Sequence, residues 1–400
     1  MPSLGIVLEG GSRGDRVGRF ISSSRSLRRV GGAFRGEGWA DVFERVPAAR
    51  DGQQGGRLAQ LESIGTIHVE GNNPAGVDRL QEVLVARGCR QSLQELRVGF
   101  AVGYDISRRN MPVLLALDRL IRRCCRPDAP LTLTTTCGRF GFDLSVFYHH
   151  EFPIRPSPPL KTMIQQLALQ AASVRYTFTG DGLTDPHASH SQSASEMAKT
   201  LSFDEATKVL AHNDAPGLDP PANTPSPDPA MISHLQPFPK ASELHVWSNL
   251  GVAAGQLFAS KMPKKVGRVD IYRLSGAEEK VGVLAALGRE REVSEVRMGE
   301  VGVDQLVGAD RLPTIKALDF KLTLPTGVED AGSVVRTGLV SVIRHIRGLQ
   351  RVTLTVDATA VQHDSIRAPF PVGTNVGGLT ININRVFGGT YVKMTAPSNA

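Results

Sequence analysis

The chain has 400 residues, 41% of them hydrophobic and 21% charged, with a formal net charge of +7 at pH 7. This composition excludes a disordered or fibrous chain and allows a large buried core. The positive charge comes chiefly from arginine and is spread along the sequence, which permits an acidic partner without requiring one. The cysteines at 89, 124, 125 and 137 have no CxxC spacing, so they read as buried reduced thiols and not as a zinc site or disulfide framework. No apolar run reaches the ~18 residues of a bilayer-spanning helix, and the first residues do not resemble a secretory signal. The expectation is a soluble protein of the cytoplasm or nucleus, with no metal or cofactor.

Residues 1–56 are rich in Gly, Arg and Ser, with apolar periodicity only from Val17 to Val46, where two short helices joined by glycines are predicted. Residues 57–180 alternate strand and helix: strands over 64–70 and 93–100, helices over 75–87 and 111–126, further strands over 131–136 and 144–148, an amphipathic stretch over 160–172, and a strand through Val174, Tyr176 and Phe178. Residues 181–239 are rich in Pro, Ser and His and read as a disordered insertion with one short helix near 203–211. From 240 to 396 strands and helices alternate again, ending in a hairpin of Leu379–Ile383 and Tyr391–Met394.

One frame recurs in both blocks: an apolar residue, two free positions, a second apolar residue, one free position and a third. It begins at 64, 93, 241, 266, 293, 315 and 349. These stretches resemble leucine-rich repeats. The resemblance implies an α/β fold, a βα solenoid whose stacked parallel strands form one concave sheet, interrupted by the insertion. The asparagine that commonly follows the third apolar position in that family is matched at Asn72 and Asn249 and partly at Asp357; the other four stretches carry different residues there.

In the amino-terminal segment, Phe20-Ile21 and the Ser/Arg run to Arg29, followed by Trp39 and Phe43, resemble the second half of an F-box; the Leu-Pro opening of that module is missing. The resemblance implies that Leu27, Trp39 and Phe43 face a ubiquitin-ligase adaptor, with the concave sheet selecting the substrate protein.

Strand alternation puts the residues between the apolar positions on the open face. One row reads His68, Arg97, His245, Asp270, Arg297, Asp319 and Thr353; a second reads Glu70, Gly99, Trp247, Tyr272, Gly299, Lys321 and Thr355. His245, Trp247, Asp270, Tyr272, Arg297, Asp319 and Lys321 are therefore the candidate partner-binding residues, with Trp247 and Tyr272 as anchors. The charged members also suit a cross-strand ladder. A competing enzymatic reading rests on Gly10-Gly11-Ser12-Arg13-Gly14, a GxSxG match that would make Ser12 the nucleophile of a serine hydrolase, with Asp357 and His363 following in the required order. His149, His150 and Glu151 alternate across an extended chain and do not converge on a metal. Arg119, Arg122, Arg123 and Arg126 share one helix face, a pattern of solvated helix backs and, less often, of phosphate contacts; nucleic acid is not the expected partner.

Overall fold

The computed structural model describes residues 21–22, 27–49, 56–101, 104–135, 140–148, 156–178, 195–213, 230–247, 252–274, 276–300, 311–324, 330–357, 360–371, 374–386 and 389–396. The chain is α/β and divides into two units, Met1–Ala172 with Pro186–Leu201, and Ser173–Asp185 with Ser202–Ala400.

In the first unit β1 (Ala33–Arg35), β2 (Ser63–Val69), β3 (Glu95–Phe100) and β4 (Leu131–Thr135) form a parallel sheet in chain order. Helices α1 (Gly36–Glu44), α2 (Ala75–Ala86) and α3 (Met111–Cys124) connect them. In α2 the buried side chains Val77, Leu80, Gln81 and Leu84 recur at i, i+3, i+4 and i+7, one helical stripe. Pro112 sits in the first turn of α3, where its missing N–H costs nothing. Strand β5 (Gly141–Asp143) bridges Ile106, and α4 (Pro158–Gln170) packs on β4. Residues 144–148, expected as strand, are a 3-10 helix; the Asp143 carboxylate accepts from the Ser145 N–H at 2.9 Å and turns the chain there.

Of the two short helices expected before residue 46, residues 21–22 are helical and Gly36–Glu44 forms α1, with the unexpected strand β1 between them. Phe34 lies in β1 opposite Ile67 of β2, and α1 then lays Trp39 and Phe43 under the sheet. Both rings are 0% exposed. The Trp39 indole donates to Thr66 O at 2.9 Å and packs on Phe34 and Phe43 with centroids 5.0 and 5.7 Å away.

In the second unit β6 (Ser173–Phe178), β7 (Lys208–Asn213), β8 (Glu243–Val246), β9 (Lys265–Asp270), β10 (Glu292–Glu300), β11 (Thr314–Thr323) and β12 (Arg351–Asp357) follow one another in a parallel sheet. The chain between them carries α5 (Ala230–Ser233), α6 (Val252–Lys261), α7 (Ala277–Leu287) and α8 (Ala331–His345). After α9 (Ala360–Arg367) and β13 (Asn375–Val376), the expected hairpin closes the sheet: β14 (Leu379–Val386) pairs with β15 (Gly389–Thr395), which lies antiparallel on β12.

Register holds one apolar column together. Val174, Val209, Leu244, Val269, Val296, Leu318, Val352 and Met394 stand side by side across eight strands. None is more than 1% exposed. Burying each such side chain contributes roughly 1.5–3 kcal/mol, so the column ties every strand to its neighbours.

Two expectations change here. Residues near 203–211 lead into strand β7 and not a helix, and Phe203, Phe238 and Phe258 form a buried chain of rings with centroids 5.9 Å apart. Residues 195–213 and 230–239 of the expected insertion thus belong to the folded units; 181–194 and 214–229 lie outside the described residues. In the first unit the register is also displaced by two residues. The ladder is irregular between Ser63 and Thr66, so Ile67 lies opposite Val98, His68 opposite Gly99, and Thr66 opposite Arg97.

Candidate interaction surface

Each strand of the second unit turns one set of side chains into the core and the other outward. Val266 and Val269 are buried, whereas Arg268 and Asp270 are half-buried on the opposite face. The predicted row His245, Asp270, Arg297, Asp319 and Thr353 is in register across β8 to β12. The second predicted row is broken. At the end of β10 the pairing shifts so that Gly299 faces Phe320 and Glu300 faces Lys321. Gly299 takes φ +64°, and a Cβ there would stand 2.4 Å from Tyr272 O. The buried Lys280 ammonium donates to Glu300 O and fixes the irregular segment.

A third row, two residues earlier in each strand, organises the charges: Lys208, Glu243, Arg268, Glu295, Ala317 and Arg351. Glu295 is its hub. Arg268 donates to Glu295 Oε2 from Nε and Nη2 at 3.2 and 3.1 Å, and Arg297 Nε donates to Oε1 at 3.2 Å. Arg351 Nη2 lies 3.9 Å from the same carboxylate, across the small Ala317. Burial opposes ionisation of Glu295, but the hydrogen bonds from Arg268 and Arg297 outweigh it and hold the carboxyl below its usual range.

His245 is packed beneath this layer, 6% exposed, with Nε2 3.0 Å from Glu243 Oε2. Burial pushes its pKa down despite the pull of Glu243, so the neutral ring donates Nε2–H to Glu243 at neutral pH. Its Nδ1 is buried without a hydrogen-bond partner, with Asp270 Oδ2 3.7 Å away. Burial raises Asp319, opposed by Arg297 and Arg351 and reinforced by Glu295 and Asp270.

Trp247 directly follows β8, and Tyr272 lies two residues beyond β9. Trp247 is half-buried, meets the edge of His245 with centroids 5.6 Å apart, and carries the Arg273 guanidinium 5.2 Å from its ring. Tyr272 is 57% exposed, and its N–H donates to Asp270 Oδ1 at 3.2 Å. Lys321 lies 3.8 Å from Glu300.

The remaining candidates fall elsewhere. Leu27 is half-buried, and Trp39 and Phe43 are interior side chains of the first unit, so those two rings present no surface to an adaptor. Ser12, His149, His150 and Glu151 lie outside the described residues. His363 is buried, its Nδ1 2.9 Å from Thr390 Oγ1. Among the described residues no group of three His, Cys, Asp or Glu side chains is placed to hold a metal, and no helix is long and apolar enough to cross a membrane. Sequence reasoning missed Glu243, Arg268, Glu295 and Arg351; the signal was the position immediately before the second apolar residue, occupied by these four and Ala317 in successive frames.

No protein-family model matches the chain, and no curated protein does. Among solved structures, the comparison gives the Mycobacterium smegmatis helicase Lhr bound to ssDNA and AMP-PNP, at 10% identity and a TM-score of 0.13, covering 94% of this chain and 54% of that one. The chain thus spans about half the length of that helicase, and a TM-score of 0.13 establishes no shared fold.

Proposed function

We propose that this chain is a non-catalytic protein-binding scaffold, a leucine-rich-repeat-like βα solenoid that uses the outward face of its second sheet to hold a protein partner. Strands that follow one another in chain order, several of them joined through helices and all stacked on one apolar column, support the solenoid reading. The observation that carries the binding reading is the in-register row from His245 to Thr353, with the exposed Tyr272 two residues beyond its member Asp270. A rigid sheet presents such a row at fixed spacing of about 4.8 Å, and an exposed tyrosine beside it is a suitable anchor. The proposal stops short of a ubiquitin-ligase adaptor, because Trp39 and Phe43 are covered by the chain itself.

Site-specific photo-crosslinking tests the reading. A crosslinker placed at Tyr272 should capture one protein from lysate of the native cell, and Asp270→Lys should abolish the capture. The same probe at Arg336 on α8 should not capture it. Equal capture from both positions, or capture indifferent to Asp270→Lys, would sink the assignment of the face.

A further inference from the structure

The first unit contains an open cavity of about 550 Å³ at the end of α3, lined by Val85, Arg90, Gln91, Arg122 and Arg123. Three exposed arginines line it, and no carboxylate belongs to its lining. Its rim is fixed by the backbone: Gln91 N–H donates to Arg123 O, and Leu93 N–H to Cys124 O, each at 3.0 Å. Arg126 N–H returns to Leu93 O at 2.9 Å. Gln91 itself sits at φ +50°, the one positive-φ residue other than glycine among the described residues. Such a conformation costs on the order of 1 kcal/mol and persists only where the surroundings enforce it.

Several arginines elsewhere in this protein are spent on backbone carbonyls. Arg87 donates to Glu44 O, Val46 O and Val83 O, Arg291 to Ser260 O, Met262 O and Leu287 O, and Arg347 to Arg289 O and Leu312 O. Each closes carbonyls at helix ends and turns. At the cavity that role is already taken, since Ile121 O, Arg123 O and Cys124 O accept from the N–H groups of Cys125, Gln91 and Leu93. Arg119 is held by Asp78, and Arg122 by Asp118 at 2.7 Å. Arg90 and Arg123 make no side-chain hydrogen bond or ion pair among the described residues. Both line a cavity whose lining residues include no carboxylate.

We infer that this cavity is a binding site for a small phosphate-bearing ligand, held by the guanidinium groups of Arg90, Arg122 and Arg123 and the Gln91 amide. Planar guanidinium forks match phosphoryl oxygens two at a time, and several of them select a multiply charged anion over chloride. The volume falls in the range of small-molecule pockets. A nucleic-acid strand fits less well, because the lining offers no aromatic ring on which a base can stack.

Isothermal titration calorimetry of the full chain in about 0.15 M salt, with inorganic pyrophosphate as the probe and chloride as the background anion, tests the site. Saturable one-site binding is expected, weakened about tenfold or more by Arg90→Gln or Arg123→Gln and unchanged by Arg336→Gln on the second unit. Unchanged thermal midpoints in both cavity variants would show that the fold is intact, as the absence of structural hydrogen bonds from these side chains requires. No saturable heat up to millimolar pyrophosphate overturns the inference. So does binding that ignores both cavity variants or falls equally with Arg336→Gln. A single-stranded oligonucleotide that binds more tightly than pyrophosphate, and loses that binding in the same variants, overturns the assignment to a small ligand.

Discussion

Replacing Arg291 with alanine removes the link between the ends of two successive helices. Its Nε donates to Met262 O at 2.9 Å and its Nη2 to Ser260 O at 2.8 Å, both just past or within the end of α6, while Nη1 donates to Leu287 O at the end of α7. Burial lowers the guanidinium pKa, yet three carbonyls compensate the charge. Hydrogen bonds to charged groups contribute about 1.5–3 kcal/mol each when buried. Ser260 O can be rehydrated, since Ser260 is exposed, whereas Met262 and Leu287 are buried. The expected loss is therefore about 2–4 kcal/mol, below the sum of three buried bonds. Arg291→Lys should recover less than half, because an ammonium lacks the fork that spans both helix ends. Urea denaturation followed by far-ultraviolet circular dichroism measures this directly. A loss below about 0.5 kcal/mol for Arg291→Ala, the usual range for an uninvolved surface site, would refute the argument.

The face of the second sheet should weaken in acid. His245 has its pKa depressed by burial, so stability is complete above its unfolded value of about 6.5 and declines as pH falls below it. The depressed Glu243 and Glu295 act in the same direction below their unfolded values near 4.3; His245→Asn should reduce the loss of urea midpoint between about pH 7 and 5.5, and an equal loss in the variant would contradict the assignment. Asp319 has the opposite sign, its pKa raised by burial, so Asp319→Asn should raise the urea midpoint at neutral pH; a lowered midpoint would show that Arg297 and Arg351 outweigh burial. Cys89, Cys124 and Cys125 are all buried, and burial pushes Cys125 up to about 12, so Ellman's reagent should detect these thiols only with the urea transition. Their rapid reaction in native buffer would show an opening absent from this structure.

The repeated frame was legible because its second apolar position marks a strand residue that is covered in every copy; Val269, Val296 and Leu318 need no knowledge of their neighbours to be recognised. Strand β7 was hidden because its frame is Ala206, Val209 and Ala211, and alanine contributes little to an apolar pattern. Small side chains suffice there because Tyr176 stands beside Ala211 and supplies the volume. The two-residue displacement between β2 and β3 was illegible for another reason: a slip of two keeps every side chain on its own face, so alternation cannot report it. The displacement of Gly299 relative to Lys321 had only a glycine as its signal. Trp39 and Phe43 read from sequence as a docking surface because burial is a property of the neighbours, and Phe34 and Thr66 cover them from positions that no local pattern connects.

The two proposed sites should differ in how they respond to salt. On the second sheet the charges are largely satisfied within the face, Lys208 beside Glu243 and three arginines around Glu295, so their fields cancel within a few ångströms. A partner gains little from long-range attraction there. Its discrimination has to come from contact, at the strand ends where Tyr272 is exposed and Arg273 lies over Trp247. At the cavity of the first unit Arg90 and Arg123 have no carboxylate partner among the described residues, and attraction extends over the Debye length, about 8 Å at physiological ionic strength. Raising the salt should therefore loosen pyrophosphate steeply while changing partner capture at Tyr272 little. The reverse pattern would mean that the paired charges on the sheet separate to meet the partner, and that Glu295 belongs to the binding surface and not to the scaffold beneath it.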